Sequence, residues 1–160
     1  MKKKTENSFM AEEPVAAYLP SVASTPMVAM MGSSYAHPTN FDLLNLARKG
    51  ISKKALIALA KQISLTLEEI SGILHISERT LQRYSPSTLV KTESADRAIE
   101  LARLYERGTE VLGSGQSFNL WMRSPNKALN NEIPLNLLDT SIGFDMILQI
   151  LGRIEYGVIS

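Results

Sequence analysis

The amino-acid sequence predicts an all-α fold, and three observations lead to that class. Apolar residues recur three and four positions apart in most segments after residue 40, as on one face of a helix. No run alternates apolar and polar residues for long enough to form a strand. Residues 64–84 also have the pattern of a helix-turn-helix. With 44% hydrophobic and 21% charged residues, the 160-residue chain has the composition of an ordinary globular protein.

Two short helices are predicted before the helix-turn-helix. Asn40 can cap the first, and Gly50 ends it after two basic residues that suit the C-terminal end of a helix dipole. Ser52 opens the second, which runs through Ile63, because a serine hydroxyl can accept a hydrogen bond from a first-turn amide.

In the helix-turn-helix itself, the first helix is predicted to begin after Thr66, where Glu69 completes a capping box. Ser77 is placed to cap the second helix, and Pro86 stops it. His75 lies in the turn, and histidine is one of the residues enriched at a positive φ. The apolar positions of the unit are Ile70, Leu74, Ile76, Leu81 and Tyr84.

A long helix is predicted to follow, from Ser94 to Arg107, with Gly108 as its stop. Its residues divide into two faces at helical spacing. The apolar face consists of Ala95, Ala98, Ile99, Ala102 and Tyr105, and the polar face consists of Asp96, Arg97, Glu100, Arg103 and Arg107.

The C-terminal segment predicts shorter helices and one final amphipathic helix. A short helix carries Phe118 and Trp121, and Pro134 is suited to the first position of another. The last helix lies between Thr140 and Gly157. Its apolar positions, at three-four spacing, are Met146, Ile147, Ile150, Leu151 and Ile154.

These elements predict three parts: an N-terminal extension (1–40), a helix-turn-helix domain (41–110) and a second helical domain (111–160). The extension holds most of the prolines and shows no periodicity, so we expect it to be flexible or loosely docked. The alternative is an oligomerisation or partner-binding arm. Its apolar run, residues 27–31, could dock because methionine packs adaptably.

Charge is distributed unevenly along the chain, although the formal net charge is only +1. Residues 45–110 carry 11 basic and 8 acidic side chains, a net charge of +3, whereas each flanking segment has a net charge of −1. This excess is modest for a DNA-binding domain. We therefore expect weak non-specific DNA binding and a dependence on dimerisation for useful affinity.

Five segments of the sequence, taken in their order along the chain, carry a resemblance to a known family. In the first half they are Gly50-Ile-Ser-Lys-Lys-Ala-Leu-Ile-Ala-Leu-Ala and Ser77-Glu-Arg-Thr-Leu-Gln-Arg. In the second half they are Trp121-Met-Arg-Ser-Pro-Asn-Lys-Ala-Leu, Ile133-Pro-Leu-Asn-Leu-Leu-Asp-Thr and Leu151-Gly-Arg-Ile-Glu-Tyr-Gly-Val. Together they resemble the Xre/MbcA/ParS-type antitoxins over residues 45–160. The chain departs from that family where His75 and the pair Asn130-Asn131 replace glycines.

The resemblance implies an Xre-like helix-turn-helix domain followed by a small toxin-binding domain. In that family the antitoxin is encoded with a RES-domain toxin that destroys NAD⁺, whose active-site cleft it covers, and it binds its operon's promoter. Residues matching the scaffold of the toxin-binding domain are Trp121, Asn126, Leu129, Pro134, Leu137 and Leu138. Residues matching the segment that approaches the toxin are Arg153, Glu155, Tyr156, Gly157, Val158, Ile159 and Ser160. Trp121 is either a core anchor or part of the toxin-binding surface, since tryptophan is enriched at binding hot spots.

The second helix of the helix-turn-helix would be the DNA-recognition helix. Arginine there can bind guanine and glutamine can bind adenine, and either can hold phosphate. The alternative is that these are solvated charges on a structural helix. Lys53, Lys54 and Lys61 are further candidates for phosphate contact, although a solvated face is an equal alternative. The predicted DNA-binding residues of the recognition helix are Ser77, Glu78, Arg79, Gln82 and Arg83.

Catalytic chemistry is not indicated. Cysteine is absent, and His75 has no second metal-ligating residue nearby in sequence. The Gly113-Ser-Gly115 segment lacks the Lys-Ser/Thr ending of a phosphate-binding loop. We therefore expect no enzyme activity, cofactor or metal. No apolar stretch reaches the roughly 18 residues of a membrane helix, so we expect a cytoplasmic protein without membrane contact.

The leading hypothesis is an antitoxin of a type II toxin–antitoxin system that neutralises its toxin and represses its own operon. It would act as a homodimer and in a larger toxin–antitoxin complex. The alternative is a transcriptional regulator whose C-terminal helices dimerise or sense a ligand. A third possibility is a scaffold without DNA binding.

Overall fold

Helices form the regular structure of the chain in the computed structural model, which describes residues 25–33 and 36–158. The all-α class is confirmed there, since the regular elements of the described residues are all helical. Short 3₁₀ turns lie at Lys127–Leu129 and Pro134–Leu137. The α-helices are α1 (Pro26–Met31), α2 (Asn40–Lys49), α3 (Lys53–Gln62), α4 (Leu67–Leu74), α5 (Glu78–Arg83), α6 (Thr92–Leu112), α7 (Gly115–Met122) and α8 (Ser141–Glu155).

Side-chain caps determine where several helices begin, because each satisfies an amide that the first turn leaves unpaired. The predicted caps Ser52 and Ser77 each accept from the amide three residues later. The predicted Thr66–Glu69 capping box is also present. The cap of α2 is Thr39, not Asn40, since Thr39 forms the capping box with the residue at its third helical position.

α6 is the central element of the fold. It packs against α1, α2, α4, α7 and α8. Every residue of its predicted apolar face is buried, and Leu101 and Leu104 are buried as well. One continuous core therefore serves both predicted domains, and their predicted boundary at residue 110 falls in the last turn of this helix.

Gly108 is not a helix stop, so that prediction was wrong. α6 continues through it to Leu112 and ends at Gly113, whose φ is 85°. Gly108 is instead a close-packing position. A Cβ atom built on it would lie 2.3 Å from the ring of Phe118, which is fully buried on α7. The absence of a side chain lets the two helices approach closely.

Arg97 was predicted on the polar face of α6, and the structure contradicts this too. It is only 7% exposed, because the C-terminal helices cover that side of α6. Its guanidinium donates to the carbonyl of Ile73 at the end of α4 and, at 2.8 Å, to the carbonyl of Leu138. It also lies 5.6 Å from the ring centroid of Phe144. A buried cation is acceptable here because carbonyl oxygens and an aromatic face replace water.

Part of the N-terminal extension is packed more firmly than expected. α1 begins after Thr25, whose hydroxyl accepts from an amide of the first turn, and it packs on α3 and α6. Met27 and Met30 are buried in the core, and the amide of Met27 donates to a carboxylate oxygen of Glu106 at 3.0 Å. Residues 26–31 are therefore docked on the core, as the apolar run 27–31 allowed. The expectation of a flexible extension stays a prediction for residues 1–24, which lie outside the described part.

The two turns in which glycines are replaced keep a left-handed backbone. His75 has a φ of 56°, and Asn130 and Asn131 have φ values of 57° and 63°. Histidine and asparagine adopt this region more readily than most residues. Both turns expected from the resemblance are therefore formed at these positions.

Candidate functional site

One side of α5, the predicted recognition helix, is anchored in the core, and the opposite side is exposed. Leu81 is fully buried and anchors the helix to the core. The left-handed His75 makes the sharp turn from α4, and the Ser77 cap then sets the direction of the first turn. This arrangement leaves Arg79, Gln82 and Arg83 exposed on the outer side of the helix.

The predicted DNA-binding residues of α5 differ in what they already bind. The Ser77 hydroxyl accepts from the Thr80 amide at 3.1 Å and donates to the Thr80 hydroxyl at 2.7 Å. The Gln82 amide donates to the Glu78 carboxylate at 2.9 Å along the helix. Arg79 and Arg83 remain, and neither has a hydrogen-bond or ion-pair partner within the part of the chain that the structure describes. They are the side chains of α5 most available to an anion.

Lys53 has a structural role that sequence reasoning missed. Its ammonium group donates to the carbonyl oxygens of Gln82 at 2.9 Å and Tyr84 at 2.8 Å. These carbonyls lie at the end of α5, where a helix lacks intrahelical donors and carries partial negative charge. Two of the three ammonium protons are therefore used inside the protein. Lys54 and Lys61 are exposed, as a phosphate contact requires.

α8 carries an exposed apolar surface, although it is also part of the core. Of its predicted apolar positions Ile147, Ile150 and Leu151 are buried, whereas Met146 is 40% exposed. Two further apolar residues of α8 are exposed although neither was predicted to be. Ile142 is 73% exposed, one turn from Met146 on the same side of the helix, and Leu148 is 42% exposed on a different side, toward α6. We call Ile142 and Met146 the α8 apolar surface.

The end of α8 is closed by a Schellman motif, in which a left-handed residue reverses the chain and the last carbonyls are satisfied. Gly157 has a φ of 68°. The amide of Val158 donates to the carbonyl of Arg153 at 2.9 Å, and the amide of Gly157 donates to the carbonyl of Ile154 at 3.1 Å. Tyr156 is left 80% exposed and Val158 58% exposed. The predicted toxin contacts Ile159 and Ser160 lie outside the described residues.

The charged residues near this end are not equivalent. Glu155 forms an ion pair with Arg107 of α6, which also lies 3.6 Å from Glu110. The hydrogen bond that Arg107 donates to Glu155 raises the pKa of the Arg107 guanidinium. Arg153 is exposed and has no ion-pair partner among the described residues. Arg153 is therefore available to a partner, whereas Glu155 already has one within the chain.

Trp121 was considered both as a core anchor and as part of the toxin-binding surface. Its ring is partly buried and stacks on Phe118, with centroids 5.9 Å apart and an angle of 15° between the rings. Phe118 is also in edge contact with Tyr105 of α6. This stacking favours the core-anchor interpretation. Among the scaffold positions, Leu129, Pro134 and Leu138 are buried, Leu137 is half-buried, and Asn126 caps the first 3₁₀ turn.

Polar contacts also join the helix-turn-helix to the C-terminal helices, and no local sequence signal indicates them. Arg123, after α7, donates to both carboxylate oxygens of Glu69 and, at 3.0 Å, to the carbonyl of Ser64. The hydrogen bond from Arg123 lowers the pKa of the Glu69 carboxyl. In the turn, His75 Nε2 lies 2.7 Å from the carbonyl oxygen of Asp139. The helix-turn-helix and the C-terminal helices are thus joined by these hydrogen bonds as well as by a common core.

In residues 25–33 and 36–158, no three histidine or acidic side chains gather as metal ligands would. Among the helices there, none combines the length and the apolar character needed to cross a membrane.

The fold and its surfaces define a class of protein: an all-α protein with an Xre-like helix-turn-helix followed by a small helical domain that exposes an apolar helix face. Comparison with known proteins agrees with this. Residues 42–103 match the family model of the antitoxin Xre-like helix-turn-helix domain. Residues 107–157 match that of the antitoxin Xre/MbcA/ParS C-terminal toxin-binding domain.

Individual relatives support the same assignment. The mycobacterial cidal antitoxin MbcA of Mycobacterium bovis is 30% identical over 99 residues, which are 61% of this chain and 86% of the relative. The antitoxin Xre of Yersinia enterocolitica is 25% identical over 74% of this chain and 81% of the relative. A chain in the crystal structure of the Mycobacterium tuberculosis MbcT–MbcA toxin–antitoxin complex matches 68% of this chain and 96% of its own length, with a TM-score of 0.51 and 26% identity. The chain belongs to the Xre/MbcA/ParS family of antitoxins.

Proposed function

We propose that this antitoxin neutralises a RES-domain toxin that degrades NAD⁺, and that it represses its own operon by binding promoter DNA. The proposed mechanism of neutralisation is occlusion. The α8 apolar surface and the chain end cover the toxin's active-site cleft, so that NAD⁺ cannot enter. The observation that carries this proposal is the exposed apolar face of α8, which ends in an ordered Schellman motif.

Three properties of α8 support the occlusion mechanism. Ile142 and Met146 are exposed apolar side chains one helical turn apart, so they can enter one apolar depression of a partner. The Schellman motif orders the backbone up to Val158, which lowers the entropy lost on binding. Arg153 supplies an unpaired positive charge beside this surface, which suits a cleft built for an anionic dinucleotide.

The proposed DNA-binding surface consists of the exposed side of α5 with Lys54 and Lys61. Arg79 and Arg83 are the proposed base- or phosphate-binding residues, because Ser77, Glu78 and Gln82 already have partners within the helix. Lys53 would act indirectly, by holding the C-terminal end of α5. A homodimer would present two recognition helices to adjacent half-sites.

The occlusion mechanism is tested by coexpressing the chain with the product of the adjacent reading frame and measuring cell survival and NAD⁺. The full chain should protect both. Deletion of residues 153–160 removes Arg153 and the Schellman motif and should abolish protection while promoter binding is retained. A truncated protein that still protects cells would exclude the chain end from the mechanism.

The DNA-binding proposal is tested with a duplex from the region upstream of the operon. Arg79→Ala and Arg83→Ala should each weaken binding by about 1–3 kcal/mol if they contact bases. Lys54→Ala should weaken binding to all duplexes alike and reduce the salt dependence. If both arginine variants bind as the parent does, α5 is not the recognition helix.

A further inference from the structure

The side chain of His75 joins the turn of the helix-turn-helix to the segment that precedes α8. Its Nε2 lies 2.7 Å from the carbonyl oxygen of Asp139. A carbonyl oxygen can only accept a hydrogen bond, so Nε2 is the donor. The other ring nitrogen, Nδ1, lies 3.6 Å from a carboxylate oxygen of Glu93 in the first turn of α6. The ring is thus held by two elements that lie outside the helix-turn-helix.

The backbone of this turn explains a glycine but not a histidine. The antitoxin family has glycine where this chain has His75, and the φ of His75 is 56°. Glycine adopts this left-handed region without steric cost, whereas a side chain adds one. The turn alone therefore does not call for a histidine, and the contact with Asp139 gives the ring a role beyond the turn.

A second hydrogen bond holds the carbonyl that comes just before that of Asp139. Arg97 of α6 donates to the carbonyl of Leu138 at 2.8 Å and also to the carbonyl of Ile73 near the end of α4. Arg97 is buried, so these bonds are shielded from water. Two successive carbonyls that lead into α8 are therefore bound by side chains that touch or follow the end of α4.

The first turn of α8 lies directly on the segment that precedes it. A Cβ atom built on Gly143 would overlap the carbonyl oxygen of Leu137, so the two backbones are in close contact. Thr140 caps α8 by accepting from the amide of Gly143 at 3.1 Å. Ile142 of the α8 apolar surface belongs to the same turn. A partner that binds Ile142 therefore touches the element that follows the bound carbonyls.

We infer that His75 is a positioning residue that couples the α8 apolar surface to the recognition helix α5. A partner on Ile142 restricts the motion of the first α8 turn and of the Leu138–Asp139 segment. The hydrogen bond from His75 carries this restriction to the turn between α4 and α5. The Ser77 cap follows that turn and sets the first turn of α5.

The path from α8 to α5 consists of contacts within the chain, and only its effect on toxin and DNA affinity rests on the proposed function. A binding site that is already restrained loses less conformational entropy when its ligand binds. The toxin-bound chain therefore binds promoter DNA more tightly than the free chain. By linkage, DNA strengthens toxin binding by the same factor.

The first experiment measures amide hydrogen exchange in the full-length chain without toxin or DNA. His75→Gly removes the ring and leaves a residue that suits the left-handed turn. Exchange should become about threefold faster in α5 and in the first turn of α8, on the two sides of the lost hydrogen bond. The factor is modest because the His75 side chain is 45% exposed. Amides of α7, which is not on this path, should exchange as in the parent.

The matched control for this variant is Asn130→Gly. Asn130 is exposed and has nearly the same left-handed φ, 57°, but it lies in a turn of the C-terminal segment. Both variants replace a left-handed residue by glycine, so an effect of the backbone alone would change both alike. Exchange in α5 should remain at the parent rate in the Asn130 variant. Circular dichroism checks that both variants keep the fold.

The second experiment measures the affinity for a duplex from the region upstream of the operon, with and without saturating product of the adjacent reading frame. That product should raise the affinity of the parent about fivefold or more. In His75→Gly the factor should fall below about twofold, although the variant still binds each partner alone. Asn130→Gly should keep the parent factor. A residue that only stabilised the fold would not change this factor.

Three outcomes would overturn the inference. The first is unchanged exchange in α5 and the start of α8 when His75 is replaced. The second is equally faster exchange in every helix, because the ring would then contribute only to global stability. The third is an equal factor in the parent and the His75 variant. A chain that binds no toxin or no duplex would overturn the proposed function instead, and the first experiment alone would then decide the inference.

Discussion

The two proposed binding surfaces, on α5 and on α8, are built from opposite kinds of side chain. α5 has six residues and presents arginines, and its ends are held by Ser77 and Lys53. α8 has fifteen residues and presents Ile142 and Met146. The first surface suits a charged partner whose binding weakens with salt, whereas the second suits an apolar partner. Variants on the two surfaces should therefore separate the two activities.

The largest expected effect is at Arg97, where the two halves of the molecule meet. Arg97→Met removes the donor to the carbonyls of Ile73 and Leu138 and should lower the free energy of unfolding by about 3 kcal/mol. Both activities should fall together. Urea unfolding measures the loss, with Arg103→Met as the control because Arg103 is exposed on the same helix. Equal stability of the two variants would show that Arg97 does not join the halves.

The next effect separates the two surfaces. Ile142→Asp places a charge in the α8 apolar surface and should weaken binding to the coexpressed toxin by about 2 kcal/mol. Binding to promoter DNA should not change. Isothermal titration calorimetry measures the first affinity and a duplex titration the second. Leu120→Asp is the matched control, because Leu120 is an exposed apolar residue of α7. An equal loss of toxin affinity in that variant would contradict the assignment to α8.

A smaller effect is expected at Gly157, where a substitution tests whether the ordered end of the chain contributes to toxin binding. An added side chain meets no atom within 4 Å, so the effect of Gly157→Ala is confined to its φ of 68°. The left-handed backbone then costs about 1 kcal/mol, and toxin affinity should fall by no more than that. Gly152→Ala is the control, because Gly152 also has open space but lies inside α8. A larger loss from the Gly152 variant would mean that α8 itself, and not its end, limits binding.

The smallest effect concerns pH and the Glu69–Arg123 pair. Because Arg123 lowers the pKa of Glu69 from 4.5, the pair contributes stability above about pH 4.5. That contribution is lost as the pH falls through the lowered pKa, when the carboxyl is protonated. The effect should stay below about 1 kcal/mol because both side chains are partly in water. Glu69→Gln should remove this part of the pH dependence. Urea unfolding measured between about pH 3 and 6, roughly the range in which carboxyls titrate, checks this. A variant whose stability has the same pH profile as the parent's would contradict a contribution from the pair.

Local signals predicted most helices, with the cap of α2 misplaced by one residue, and contacts between different helices account for the errors at Gly108 and Arg97. Ser52, Thr66 and Ser77 were confirmed as caps, because a cap and its amide lie three residues apart in sequence. The predictions at Gly108 and Arg97 were wrong because they depend on packing against other helices, with Phe118 of α7 against Gly108 and the C-terminal helices over Arg97.

In the candidate site, too, features that depend on local spacing were predicted and those that depend on another helix were not. Arg79 and Arg83 are exposed as helical spacing predicts. The roles of Lys53 and Glu155 could not be predicted, because each depends on a partner from another helix, the end of α5 in one case and Arg107 in the other. The α8 apolar surface was predicted only in part, since Ile142 falls outside the stripe expected for that helix.

The Gly108–Phe118 contact and the shared helix α6 bear on how this protein would be cleared from a cell. Neither half keeps a complete interior without the other, so opening one exposes the backbone of both. A protease that acts on transiently opened chains responds to the population of that open form. Under the proposed function, a single degradation event would then end toxin neutralisation and promoter binding at the same time, so both activities would have the same lifetime.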